Sequence, residues 1–100
     1  MNYYSLNGQS PLVSFKEAAI LGQAPDKGLY YPEKLPVVAR SLIDNLGTMS
    51  NTDIAFEVMK PYVEGSLTDE ELYQIVKETI SFSIPLQPIN DRIASLELFH

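Results

Sequence analysis

SFKEAAILGQAPDKGLYYP, running from Ser14 to Pro32, holds three elements in succession: a short capped helix, a tight turn and a buried strand. Ser14 is a candidate N-cap, and Glu17 stands at the spacing of a capping box, where each side chain satisfies the other residue's backbone N–H. Phe15, Ala18 and Ala19 share one helical face, and Gly22 is placed to end the helix with a positive φ. Ala24-Pro25-Asp26-Lys27-Gly28 then supplies turn chemistry: Pro25 fixes φ, Asp26 can bond its own backbone, and Gly28 can take φ > 0. Leu29, Tyr30 and Tyr31 have strand propensity, and Pro32 stops the strand. These residues specify structure. None of them names a reaction.

Working outward, Asn2 to Ser5 reads as a short strand ended by the Asn7-Gly8 turn signal. Beyond Pro32, Glu33 to Pro36 is a connection. Val37 to Leu46 is expected to contain a helix, because Val38, Leu42 and Leu46 recur every four residues before Gly47. Ser50 or Asn51 caps the next helix, with Ile54, Ala55, Val58, Met59 and Tyr62 on one side and Pro61 predicting a kink or an early end. The clearest helix starts at Thr68 and runs to about Ser81. Thr68 and Glu71 form a capping box, Leu67 faces Leu72 as a staple, and Leu72, Ile75, Val76, Thr79 and Ile80 make the expected core face. Phe82 to Pro88 is extended, Asn90-Asp91 is a turn, and Ile93 to Phe99 reads as a last strand with Ala94, Leu96 and Leu98 on one face. That strand is expected to pair near Tyr3 and Leu29. The fold class is α+β: a small sheet of short strands packed with three to four helices, in one domain over residues 1–100.

Composition excludes several function classes. The chain has no cysteine and one histidine, His100, so cysteine-ligated metals and a His-rich site are ruled out. Its formal charge is −6, and its seven Lys and Arg are scattered, which disfavours a phosphate-backbone surface and hence nucleic acid. No apolar run approaches a membrane span, and MNYYSLNGQS has neither the basic nor the apolar part of a signal peptide. A cytoplasmic protein with no membrane partner is the expectation.

Residues able to carry chemistry are few. The glycines form no phosphate loop. Asp69-Glu70-Glu71 is better read as first-turn carboxylates facing the helix dipole than as a metal site. In Tyr3-Tyr4 and Tyr30-Tyr31, adjacent strand residues point to opposite faces, so one of each pair belongs in the core. Lys16 and Lys27 are surface lysines by position.

Val13, Ser14, Phe15, Ala18, Gly22, Ala24, Pro25, Asp26, Gly28, Leu29, Tyr30 and Pro32 fall in a pattern that resembles the opening of threonine synthases, V-S-F-x-x-A-x-x-x-G-x-A-P-D-x-G-L-Y-x-P. Ser95 to His100, S-L-E-L-F-H, is similar to a second family segment, which there runs into G-P-T-x-A-F-K-D, whose lysine carries pyridoxal phosphate (PLP). Position 27 is Lys where many members have Gly, so the turn is not expected to need φ > 0 there.

The resemblance implies an N-terminal domain cut from a larger lyase that converts O-phospho-L-homoserine and water to L-threonine and phosphate with PLP. It implies catalytic domains of the same chain as partners, and His100 near the active site. No catalytic, cofactor-binding or metal residue is assigned within residues 1–100, so the piece alone is expected to be inactive, to bind no cofactor and to be prone to self-association. The rival reading is a standalone, non-catalytic protein-interaction domain.

Overall fold

Alternation along the first strand sets the sheet. In β1 (Asn2–Ser5), Tyr3 and Ser5 are buried while Asn2 and Tyr4 are exposed, the period-two pattern of a strand with one face on the core. β1 is the centre of a three-stranded antiparallel sheet, flanked by β2 (Val13–Ser14) and β3 (Tyr30–Pro32), with Tyr3 opposite both Val13 and Pro32. The computed structural model describes residues 1–98. The expectations for Phe99 and His100 lie outside the described residues.

Helix α1 (Phe15–Leu21) begins at the Ser14–Glu17 capping box. It ends at Gly22, whose φ of 71° lets Gly22 N–H reach the Ala18 carbonyl at 2.9 Å. Ala18 is buried, but Ala19 is exposed, so the packed stripe of this short helix is narrower than expected. Helix α2 (Arg40–Asn45) is shorter than the periodicity predicts. It starts after Val38 and Ala39, has no side-chain cap, and tightens into a 3₁₀ turn (Leu46–Thr48) that contains Gly47. With Pro36 upstream and no capping side chain at Ala39, nothing local nucleates an earlier start.

Helix α3 (Asn51–Val63) is capped by Ser50, which accepts from Asp53 N–H, and it runs through Pro61 for two further residues. Pro61 removes the donor that would meet the Glu57 carbonyl one turn back. Helix α4 (Asp69–Thr79) carries the Thr68–Glu71 capping box. It packs on α3 through Val63, Leu72 and Val76, with Phe15, Ala55, Phe56, Leu67 and Ile80 around them. Ile75 and Thr79, expected in that face, are exposed, Ile75 at 49%. α3 and Phe15 of α1 cover only the Leu72–Val76–Ile80 line, and positions flanking that line stay in solvent.

The C-terminal strand also departs from its expected pairing. β5 (Ala94–Leu96) pairs with β4 (Leu86–Pro88) in a separate antiparallel hairpin, not with β1 or β3. The Asn90-Asp91 turn brings it back locally: Ile89 N–H donates to Ile93 O at 2.9 Å, and Asn90 Oδ1 accepts from Arg92 and Ile93. A hairpin closes a few residues, whereas the expected pairing would close a loop of most of the chain, which costs more entropy.

Candidate functional site

The most densely bonded point is Asp26. Its Oδ1 accepts from Ser5 Oγ at 2.6 Å and from Gly28 N–H at 2.9 Å, and its Oδ2 accepts from Gln9 N–H at 2.9 Å. The Asp26 backbone adds Asn7 Nδ2 on its carbonyl at 3.0 Å and donates to Ser10 Oγ at 3.2 Å. The Ser5 hydroxyl, followed by the Gly28 and Gln9 amides and Ser10, holds the Asp26 carboxyl below its ordinary range, against a smaller opposing effect of desolvation. Every partner lies within the turn, the β1–β2 loop or, for Ser5, the end of β1. Asp26 is a fastener between them.

Around it, one expectation is reversed. Lys27 carries the positive φ, 67°, and Gly28 does not. The Lys27 N–H closes onto Ala24 O at 2.8 Å while Ala24 N–H takes Gly28 O at 3.1 Å, and this double closure forces the left-handed residue at position 27. Gly28 is required for space instead. A Cβ there would overlap Ser5 Oγ and stand 2.9 Å from Asn7 N. The strand that follows is half buried rather than buried: Leu29 and Tyr31 are exposed, and Tyr30 is partly covered.

The tyrosine pairs split as the strand geometry requires. Tyr3 is buried and Tyr4 is exposed, packing edge-on to Tyr31 with centroids 6.3 Å apart. The Tyr30 hydroxyl is buried with no hydrogen-bond partner among the described residues. Asp69, Glu70 and Glu71 lie in the first turn of α4, and no group of three metal-ligating side chains exists among the described residues. Lys16 and Lys27 are exposed and far apart in role: Lys16 N–H anchors α1 to Ser66 Oγ at 3.2 Å, and Lys27 makes the turn.

A cleft of about 420 Å³ lies between the Pro36–Ala39 segment, α2 and α3, with Val37, Val38, Met49, Val58 and Tyr62 among its walls and Glu57 as its charged residue. Two shallower depressions lie on the exposed side of α4 and between α3 and Ile84. None of the three is lined by a lysine, an arginine or a glycine. PLP needs a Schiff-base lysine and a phosphate cradle, so these residues do not fit it. No motif in the sequence marks the main cleft; Val37 and Val38, read as helical, form its rim instead.

Apolar surface is the more conspicuous feature. Val37 is 96% exposed, Leu86 66% and Leu96 56%, and Ile20, Leu35 and Ile89 are also in water. The radius of gyration is 16.5 Å, against about 13 Å for a compact chain of this length. Among the described residues, no helix is long and apolar enough to cross a membrane. What the molecule presents is an α+β unit with extensive uncovered apolar side chains and no assembled reaction centre among the described residues.

The comparisons agree with that class of protein and sharpen it. The family model described as "Threonine synthase N terminus" matches residues 2–80. Threonine synthase from Pseudomonas aeruginosa is 36% identical across the whole chain, which covers 22% of that relative. The Schizosaccharomyces pombe threonine synthase is 34% identical, with 21% of its length covered. Two solved structures superpose on the entire chain with TM-scores of 0.87: threonine synthase from Escherichia coli at 25% identity and the PLP-bound threonine synthase from Brucella melitensis at 30%. In each of these structures the chain covers 23% of the solved chain. This chain belongs to the threonine synthase N-terminal family. It spans less than a quarter of the length of the relatives it matches.

Proposed function

We propose that residues 1–100 form one domain, the N-terminal domain of an enzyme that converts O-phospho-L-homoserine and water to L-threonine and inorganic phosphate, a PLP-dependent lyase of the cytoplasm. The observation that carries this reading is the superposition of the whole chain, at a TM-score of 0.87, on a PLP-bound threonine synthase. In that chemistry the cofactor is an electron sink for carbanion steps. Its lysine and phosphate cradle are assigned to residues other than these, because the clefts here lack both.

The contribution of this chain is then packing. Its uncovered apolar side chains suit contact with catalytic domains of the same polypeptide. Incubating the purified chain with PLP and O-phospho-L-homoserine tests the division of labour. The expected result is no cofactor absorbance attached to one specific lysine and no phosphate release. Turnover by the chain alone would overturn it.

A further inference from the structure

Asn7-Gly8 is a pair that the function above leaves unused. In a mobile chain such a pair degrades easily. The Gly nitrogen attacks the Asn side-chain carbonyl carbon, a N–Cγ bond forms, the Cγ–Nδ2 bond breaks, and ammonia leaves with the proton the Gly nitrogen gives up. Water then opens the succinimide to an aspartyl or isoaspartyl residue.

Both reacting nitrogens are tied down here. Gly8 N–H donates to Ser5 O at 2.9 Å, so the nucleophile is held with its proton in use. Asn7 Nδ2, the leaving nitrogen, donates to Asp26 O at 3.0 Å, and Asn7 N–H is held by Ser5 Oγ at 3.2 Å. Ser5 is 1% exposed, and its hydroxyl both accepts from Asn7 N–H and donates to Asp26 Oδ1, which ties the Asn7 backbone to the Asp26 carboxylate. Asn7 and Gly8 nevertheless sit at the surface, open to water.

We propose that Asn7 is a deamidation site gated by the Asp26 fastener: the succinimide forms only when the turn and the β1–β2 loop part. The product weakens the closure, and hydrolysis of the succinimide does not run back to the amide. An aspartate at position 7 has no side-chain N–H for the Asp26 carbonyl and sets a negative charge against that carbonyl oxygen. The gate is therefore one-way.

The test is the rate at which peptide 1–16 gains acid at Asn7, read by mass spectrometry with fragmentation, during incubation at mildly alkaline pH. The folded chain is expected to convert at least about tenfold more slowly than the same chain in urea, the factor that local opening of modest free energy imposes. Asp26→Asn, which keeps the shape but weakens the fastener, should speed conversion while leaving the circular dichroism of the fold in place. Exchange of the Gly8 amide should accelerate in the same variant. In Asn7→Asp, the urea midpoint should fall, since the product state is present from the start. Equal rates in the folded and unfolded chain would overturn the proposal. So would a folded Asp26→Asn variant with unchanged conversion and unchanged Gly8 exchange. Should that variant fail to fold, the comparison of the native chain with and without urea still decides.

Discussion

The Tyr3 phenol donates to the Tyr62 carbonyl at 2.9 Å, joining the central strand of the sheet to the last turn of α3. That carbonyl is one of the four that a helix leaves without an internal donor, so the bond caps α3 from a residue 59 positions away. The Tyr3 ring also meets Phe15 at 5.9 Å, which places α1 against the same junction. Burial, then the neighbouring Tyr62 phenol, raises the Tyr3 pKa above the ordinary tyrosine range. Tyr3 joins sheet and helix pair together with Phe15, which packs on the α3–α4 cluster, and the Lys16 N–H bond to Ser66.

Tyr3→Phe should therefore cost about 1 kcal/mol, the worth of a hydrogen bond whose carbonyl partner is left behind. Tyr3→Ala should cost about 3–5 kcal/mol by removing the ring as well. Urea melts of the two variants check the gap, which separates the hydroxyl from the packing.

The α3–α4 contact gives a graded set. Leu72→Ala should lose about 2–5 kcal/mol, because that side chain is buried at the centre of the cluster. Thr68→Ala should lose about 1 kcal/mol with its half of the capping box. Ile75→Ala should stay within about 0.5 kcal/mol, as expected for an exposed side chain. Equal losses at Leu72 and Ile75 would contradict the packing face described above.

Acid should loosen the chain at three carboxylates. The backbone N–H of Ser14 and then its hydroxyl lower the Glu17 pKa, those of Thr68 do the same for Glu71, and the Ser5 hydroxyl leads for Asp26. A depressed native pKa means the stabilisation is present above the unfolded-state value. It is lost as pH falls through the native one. The urea midpoint should thus hold above about pH 5 and decline below about pH 4, where unfolded carboxylates begin to take protons. Asp26→Asn should flatten part of that decline, which a series of melts from neutral to acid pH measures.

At the turn, Lys27→Gly should stabilise by up to about 1 kcal/mol, since it relieves a left-handed residue at the cost of a more flexible unfolded chain. Gly28→Ala should do the opposite and weaken the Ser5–Asp26 bond, because the added Cβ meets Ser5 Oγ. Melts of both variants, with exchange of the Gly28 amide, tell backbone strain from crowding.

What the sequence reveals here is what closes locally. Ser14 with Glu17 and Thr68 with Glu71 each satisfy a helix end within three positions, so these caps are readable from spacing, whereas the choice of Ser50 over Asn51 for α3 comes from the structure. Asn2–Ser5 is legible for the same reason, as alternation is a local property. The φ of Lys27 is not, because no residue type in the Ala24–Gly28 turn marks which position its two backbone closures put in the left-handed region. Nor is the exposure of Ile75, which turns on how many helices cover α4. The partner of β5 is set by a competition between two loop closures that side-chain patterns do not report. Ala24 to Pro32 is legible as a family signature, yet its residues are a structural turn. The cleft beside Val37 carries no signature at all.

Uncovered apolar side chains on both strands of the hairpin, with outer edges unpaired among the described residues, should make the chain associate with itself. Light scattering across a concentration series should show a rising mean mass. Leu86→Lys and Leu96→Lys together should return it to that of a monomer. A constant monomer mass for the parent chain would remove the hairpin as a sticky surface.

The most direct measurement exchanges parts with a relative. The region of the Escherichia coli threonine synthase that superposes on this chain would be replaced by residues 1–100, and phosphate release from O-phospho-L-homoserine followed. The account predicts a soluble chimera that binds PLP and turns over, and that loses turnover when Leu86 and Leu96 are changed to lysine. A well-folded chimera that holds PLP yet releases no phosphate would contradict it.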